Sequence, residues 1–137
     1  MNSPVTIDAS VFVSAFTPAE PGHQAGKSFM LNVREQDIPI IVPVLVLPEI
    51  SAAISRGQGK PELGKAFVQE LRNFPNTTFI DVDESVANLA VDIAANNRLR
   101  GSDAVYASVA LRFGTELVTL DKEQLDRLPK VLSVRSP

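Results

Sequence analysis

Apolar residues fall into two alternating spacings along the chain. Val5-Thr-Ile7 is a short β-branched run and predicts a first strand. Val11, Phe12, Ala15 and Phe16 recur at helical spacing, predicting a helix over residues 10–16 that Thr17-Pro18 ends. Ala25, Phe29 and Val33 carry a second helix over 23–36. Residues 38–42 are uniformly apolar, as a strand covered on both faces should be. Helices follow at 45–56, stopped by Gly57 and Gly59, and at 61–74, where Pro61 suits the first turn. Residues 77–82 predict a third strand. Val86, Leu89, Ala90, Ile93 and Ala94 form an amphipathic stripe. A further helix spans 102–113, with Val105, Tyr106, Val109 and Phe113 inward and Gly114 as its cap. A strand at 116–120, a short helix at 122–128 and a last strand at 131–134 complete the pattern.

Strands alternate with helices throughout. The expected fold is α/β: a three-layer α/β/α arrangement with a mostly parallel four- to five-stranded sheet and right-handed crossovers. No repeat and no linker divides the sequence, so residues 1–137 are expected to form one domain.

Composition narrows the class. A chain of 137 residues with 45% hydrophobic positions is too apolar to be disordered. Its net charge is -3, spread evenly, so no global cationic field argues for nucleic acid. There is no Cys, which excludes disulfides, thiolate metal sites and a Cys nucleophile, and a reducing cytoplasm is the natural setting. The start has neither the charged nor the apolar segment of a signal peptide. The longest apolar run, residues 38–48, holds three prolines and falls short of the roughly 20 residues that a spanning helix needs. No membrane role is expected.

In open α/β sheets, ligands bind beyond the carboxyl ends of the strands. Asp8 ends the first predicted strand and Asp121 follows the fourth. Asp103 opens the helix before strand four, and Glu49 is placed about two turns past strand two. Each is set in apolar sequence, where a carboxylate is costly unless hydrogen-bonded, paired or bound to metal. For Asp103 alone, a Ser102-Asp103 helix cap suffices as an explanation. The four together form a hard-cation site: oxygen ligands without His or Cys suit Mg²⁺ or Mn²⁺ better than Zn²⁺. A pair of such ions can bind phosphodiester oxygens and lower the pKa of an attacking water. No protein nucleophile is then required, which fits a chain with one His and no Cys.

These residues resemble the motifs of the PIN domain family. Val5-Thr-Ile-Asp8-Ala-Ser10 resembles its opening, and Val44-Leu-Val-Leu-Pro-Glu49-Ile its second acidic motif. Arg98-Leu-Arg-Gly101-Ser-Asp103-Ala-Val-Tyr106 resembles the third, and Leu117-Val-Thr119-Leu-Asp121 the fourth. The resemblance spans nearly the whole chain and is closest to the VapC-type toxins of prokaryotic toxin–antitoxin pairs. It implies a PIN-like fold and an endoribonuclease dependent on Mg²⁺ or Mn²⁺, leaving 5′-phosphate and 3′-hydroxyl ends. It implies that Asp8, Glu49, Asp103 and Asp121 hold the metal, that the Thr119 hydroxyl helps hold the acidic cluster or its water, and that Ser10 supports Asp8. It also implies a homodimer and a small antitoxin that blocks the acidic site.

An RNA substrate must be reconciled with the net charge. Two divalent ions would bring the loaded protein to about +1. Arg98, Arg100, Arg56 and Lys60 flank the acidic motifs and are the candidate phosphate contacts, although each alone also reads as a solvated helix-end residue. With no Trp and one Tyr, recognition by RNA shape is expected over base stacking. Pro48 is expected to kink its helix and aim Glu49 at the site. Asp83 reads as a helix cap, and Asp92 and Asp126 as surface acids. The alternatives are a non-toxin PIN nuclease and a PIN-like binding module without catalysis. A dehalogenase-type phosphatase would need an Asp where Ser10 stands.

Overall fold

All three residues of β1 (Val5–Ile7) are buried, because β1 is the middle strand of the sheet. Even its polar residue is internal: the Thr6 hydroxyl donates to the Ile41 carbonyl at 2.7 Å and pairs with the Thr115 hydroxyl at 2.6 Å. This computed structural model describes residues 2–137. After β1 the chain runs through α1 (Ala9–Phe16), α2 (His23–Glu35), β2 (Ile40–Pro43), α3 (Val46–Gln58), α4 (Pro61–Arg72) and β3 (Thr77–Ile80). It continues through α5 (Glu84–Asn97), α6 (Gly101–Phe113), β4 (Glu116–Val118), α7 (Lys122–Arg127) and β5 (Val134–Arg135).

The strands are all parallel, in the order β3-β2-β1-β4-β5. The three-layer α/β expectation therefore holds. α5 and α6 pack on each other, and α6 lies across β2, β1 and β4. α1 packs on α2 and α3, and α3 on α4. The Phe16 and Phe67 rings, 4.7 Å apart, tie α1 to α4. At Gly64 a Cβ would lie 2.7 Å from the Ser51 carbonyl oxygen, so the α3–α4 approach needs glycine there.

Several strand boundaries shift, each for a hydrogen-bonding reason. β2 starts at Ile40 because the Ile38 N–H closes the end of α2 on the Val33 carbonyl. β4 stops at Val118, and the Leu120 N–H turns to the Ser10 hydroxyl. The last strand is Val134–Arg135, since the amides of Val131 and Leu132 close the turn after α7 on Leu128. Phe113, expected inward, is 44% exposed at the end of α6. Asp83 does cap α5, accepting from the Val86 N–H, and Asp92 and Asp126 are exposed as expected. Pro48 is the third residue of α3, where a missing N–H costs no intrahelical bond, so the reason for expecting a kink there falls away.

Chain direction across the sheet reverses at the centre. From β1 the chain moves to β2 and β3, then crosses to β4 and β5 on the other side. The carboxyl ends of β1 and β4 thus flank the crevice where open α/β sheets bind ligands.

Candidate functional site

Helix starts place all four acids. Asp8 follows β1 and caps α1, with Oδ2 accepting from the Ser10 N–H at 3.1 Å. Asp121 follows β4 and caps α7, with Oδ1 accepting from the Gln124 N–H at 2.9 Å. Asp103 and Glu49 sit in the first turns of α6 and α3, so Glu49 is nearer β2 than the two turns expected. Exposed N–H groups and the helix dipole favour a carboxylate at each of these places. The cap of α6 is Arg100 and makes no side-chain cap bond, so Ser102-Asp103 is not a capping pair.

All four acids line one cleft of about 590 Å³, together with Ser10 and Arg56. Arg100 lines it too; Lys60 and Arg98 do not. Arg98 instead borders a separate groove with Arg127 and Lys130. Thr119 is fully buried beneath the cleft rather than lining it, and its Oγ1 accepts from the Asp121 N–H at 3.0 Å. The Ser10 hydroxyl accepts from the Leu120 N–H at 3.1 Å and so ties the loop carrying Asp121 to the helix that Asp8 caps.

Crowded acids in a half-dry cleft feel burial and each other. Burial pushes the Asp8 carboxyl above its ordinary value, and the nearby Asp103 charge adds to the rise against hydrogen bonds from Ser10 and Gln124. Burial also raises Glu49, helped by Asp8 and Asp103 and opposed by Tyr106. The Arg100 guanidinium is held still more firmly protonated by its hydrogen bond to Asp103 and the neighbouring charges. Its Nε donates to Asp103 Oδ2 and its Nη2 to Asp121 Oδ2, both at 3.1 Å, from a side chain 69% exposed.

Sequence reasoning missed two residues. Tyr106, expected as core, is fully buried, yet its hydroxyl donates to Glu49 Oε1 at 2.6 Å. Burial, together with the Asp8 and Glu49 charges, holds this phenol well above its ordinary pKa, so it stays a donor. Gln124, not singled out, is also fully buried, and its Nε2 donates to Asp103 Oδ1 at 2.8 Å and Asp8 Oδ1 at 3.3 Å. The Asp121-x-x-Gln124 spacing carries a signal, since it is that of a reciprocal capping box. Only half of that box forms: the Asp121 N–H goes to Thr119, and the Gln124 amide turns to the acids.

The PIN domain sequence profile matches residues 5–131. The chain belongs to the PIN domain family. No curated protein matches it at a significant level. Among solved structures, this PIN domain is similar to the sarcin–ricin-loop-cleaving VapC toxin of Mycobacterium tuberculosis (TM-score 0.78, 14% identity, covering 97% of this chain and 99% of that one). It is similar to the VapBC2 structure from Rickettsia felis bound to promoter DNA (0.72, 14%, 97% and 98%). It is also similar to DNA-bound VapBC from Salmonella typhimurium (0.67, 19%, 99% and 98%). These likenesses establish the PIN fold.

The donor set of this PIN domain fits a hard divalent cation: four carboxylates on one cleft, with neither His nor Cys in its lining. Among the described residues, no three such groups converge on a common point as a finished metal cage. Two side chains bridge the acids in pairs. Arg100 holds the Oδ2 atoms of Asp103 and Asp121, and Gln124 holds the Oδ1 atoms of Asp8 and Asp103. Arg100 is exposed, while Gln124 is enclosed. No helix among the described residues is long and apolar enough to cross a membrane.

Proposed function

We propose that this PIN domain is a divalent-metal-dependent endoribonuclease and the toxin of a toxin–antitoxin pair. The observation that carries the reading is the meeting of Asp8, Glu49, Asp103 and Asp121, from four separate segments, in one cleft at the carboxyl ends of β1 and β4. Asp8, Glu49, Asp103 and Asp121 are the residues that would hold Mg²⁺ or Mn²⁺. When bound, the metal neutralises phosphate charge and lowers the pKa of water.

The chain's own residues supply the frame. Tyr106 orients Glu49, Thr119 and the α7 cap orient Asp121, and Ser10 braces the loop between them. Arg56 and Arg100, on the cleft wall, are the phosphate contacts closest to the chemistry. Arg98 and Lys60 stand outside the cleft and would grip only flanking phosphates. Support for an antitoxin partner comes from the toxin–antitoxin complexes that share the fold, such as one from Klebsiella pneumoniae (TM-score 0.68, 13% identity, 97% of both chains). A homodimer in the cytoplasm completes the proposal.

A non-catalytic binding module is the second reading, and one observation favours it: Arg100 pairs with two of the four acids. Cleavage of a total-RNA pool with Mg²⁺, Mn²⁺ or EDTA, beside Asp103→Asn, separates the two. Metal-dependent cuts that the variant cannot make, with 5′-phosphate and 3′-hydroxyl ends, are the expected result. RNA binding without cleavage, by protein freed of any antitoxin, would leave the binding module.

A further inference from the structure

Gln124 is fully enclosed, although its amide has four hydrogen-bonding positions to satisfy. Both Nε2 protons go to carboxylates, one to Asp103 Oδ1 and one to Asp8 Oδ1. Its Oε1 is buried without a partner among the described residues. Packing alone does not explain such a residue, because Met or Leu would fill similar space and leave no orphaned acceptor. Nor does capping, since the side chain does not return to the α7 N-cap. The chemistry between the two acids does. An ammonium or guanidinium there would compete with a bound cation, and an apolar group would leave two like charges facing each other. A neutral amide binds both carboxylates and leaves their charge intact for the metal.

We propose that Gln124 is a positioning residue of the acidic cleft, a two-proton donor that sets the separation of Asp8 and Asp103 and prepares them for a divalent cation. This rests on the metal-dependent reading above. Asp103 carries the division of labour in its two oxygens: Oδ1 is fixed from below by the enclosed Gln124, while Oδ2 pairs with the exposed Arg100. Side chains that hold metal ligands in this way are worth about 10- to 100-fold in metal affinity.

The test is calorimetric titration of Mn²⁺ into metal-free wild type and Gln124→Met, with thermal melts of both. A Kd weakened about 10- to 100-fold in a variant that still folds, with the metal-free melting temperature lowered by the loss of the two hydrogen bonds, is the expected result. A lower melting temperature with a Kd within threefold of wild type would mean a structural role only and would overturn the proposal. Folded wild type that binds no Mn²⁺ would overturn the metal reading itself, and this proposal with it. Should Gln124→Met fail to fold, nuclear magnetic resonance of wild type decides. The Gln124 side-chain amide protons should exchange slowly and shift with Mg²⁺ in step with the backbone amides of Asp8 and Asp103. Fast exchange, or no response while those backbone amides move, would overturn it.

Discussion

Tyr106→Phe removes one atom from a closed environment and leaves the ring in place. The phenol donates to Glu49 Oε1 at 2.6 Å, and the tyrosine has no exposed surface. A hydrogen bond to a charged acceptor is worth about 1.5–3 kcal/mol. Glu49 is only half-buried and water can take over part of the lost bond, so the lower end applies, about 1.5 kcal/mol. For a chain of this size that is a fall in Tm of about 6 °C. The assay is a metal-free thermal melt at pH 7.5 and again near pH 4. Glu49 has a raised pKa, so near pH 4 its carboxyl is protonated in the folded state and accepts a weaker bond. The gap between variant and wild type should therefore narrow on acidification. A shift under about 2 °C at pH 7.5, or an equal gap at both pH values, would refute the idea that this bond braces an ionised Glu49.

Asp8→Asn and Asp103→Asn should each abolish RNA cleavage while a native circular-dichroism spectrum is retained, and each should lose the Mn²⁺-dependent gain in Tm. In wild type that gain should approach about 2.7 kcal/mol at a metal concentration 100 times Kd. Without metal, Asp8 and Glu49 bind protons more tightly folded than unfolded, so the stability these two groups contribute should be greatest when both are protonated. It should fall as pH rises from their ordinary values, 3.8 and 4.5, through the raised folded ones, and saturating Mn²⁺ at neutral pH should reverse the loss; melts against pH read both. Arg100→Gln should change metal-free stability by under about 1 kcal/mol, because its ion pairs lie largely in solvent, but should tighten Mn²⁺ binding and weaken RNA binding in titrations of each. Gly64→Ala should cost about 1–3 kcal/mol in chemical denaturation, since the new methyl group meets the backbone of α3.

The order of elements was legible in the chain because each rests on local periodicity. The apolar runs of β1 and β2 and the stripes of the helices are properties of neighbouring residues. The identities of Asp8, Glu49, Asp103 and Asp121 were legible too, as acids set in apolar sequence at strand and helix ends. Element ends were less so, because they depend on distant partners: β4 stops where the Leu120 N–H finds Ser10, 110 positions away.

Only the tertiary structure decided how the acids are held. Gln124 reaches Asp8 across 116 positions and Tyr106 reaches Glu49 across 57, separations at which no spacing rule applies. On sequence alone Tyr106 is one more apolar helix residue, and Gln124 half of a capping box. Packing turned both toward the carboxylates, because a buried donor must find an acceptor and the acids of the cleft were the acceptors at hand. Of the basic residues flanking the motifs, the same packing kept Arg56 and Arg100 at the cleft and carried Arg98 and Lys60 away from it. Local sequence determined which groups the chain carries and which elements they sit on. Long-range closure of the sheet, by setting β4 beside β1, decided which of those groups meet.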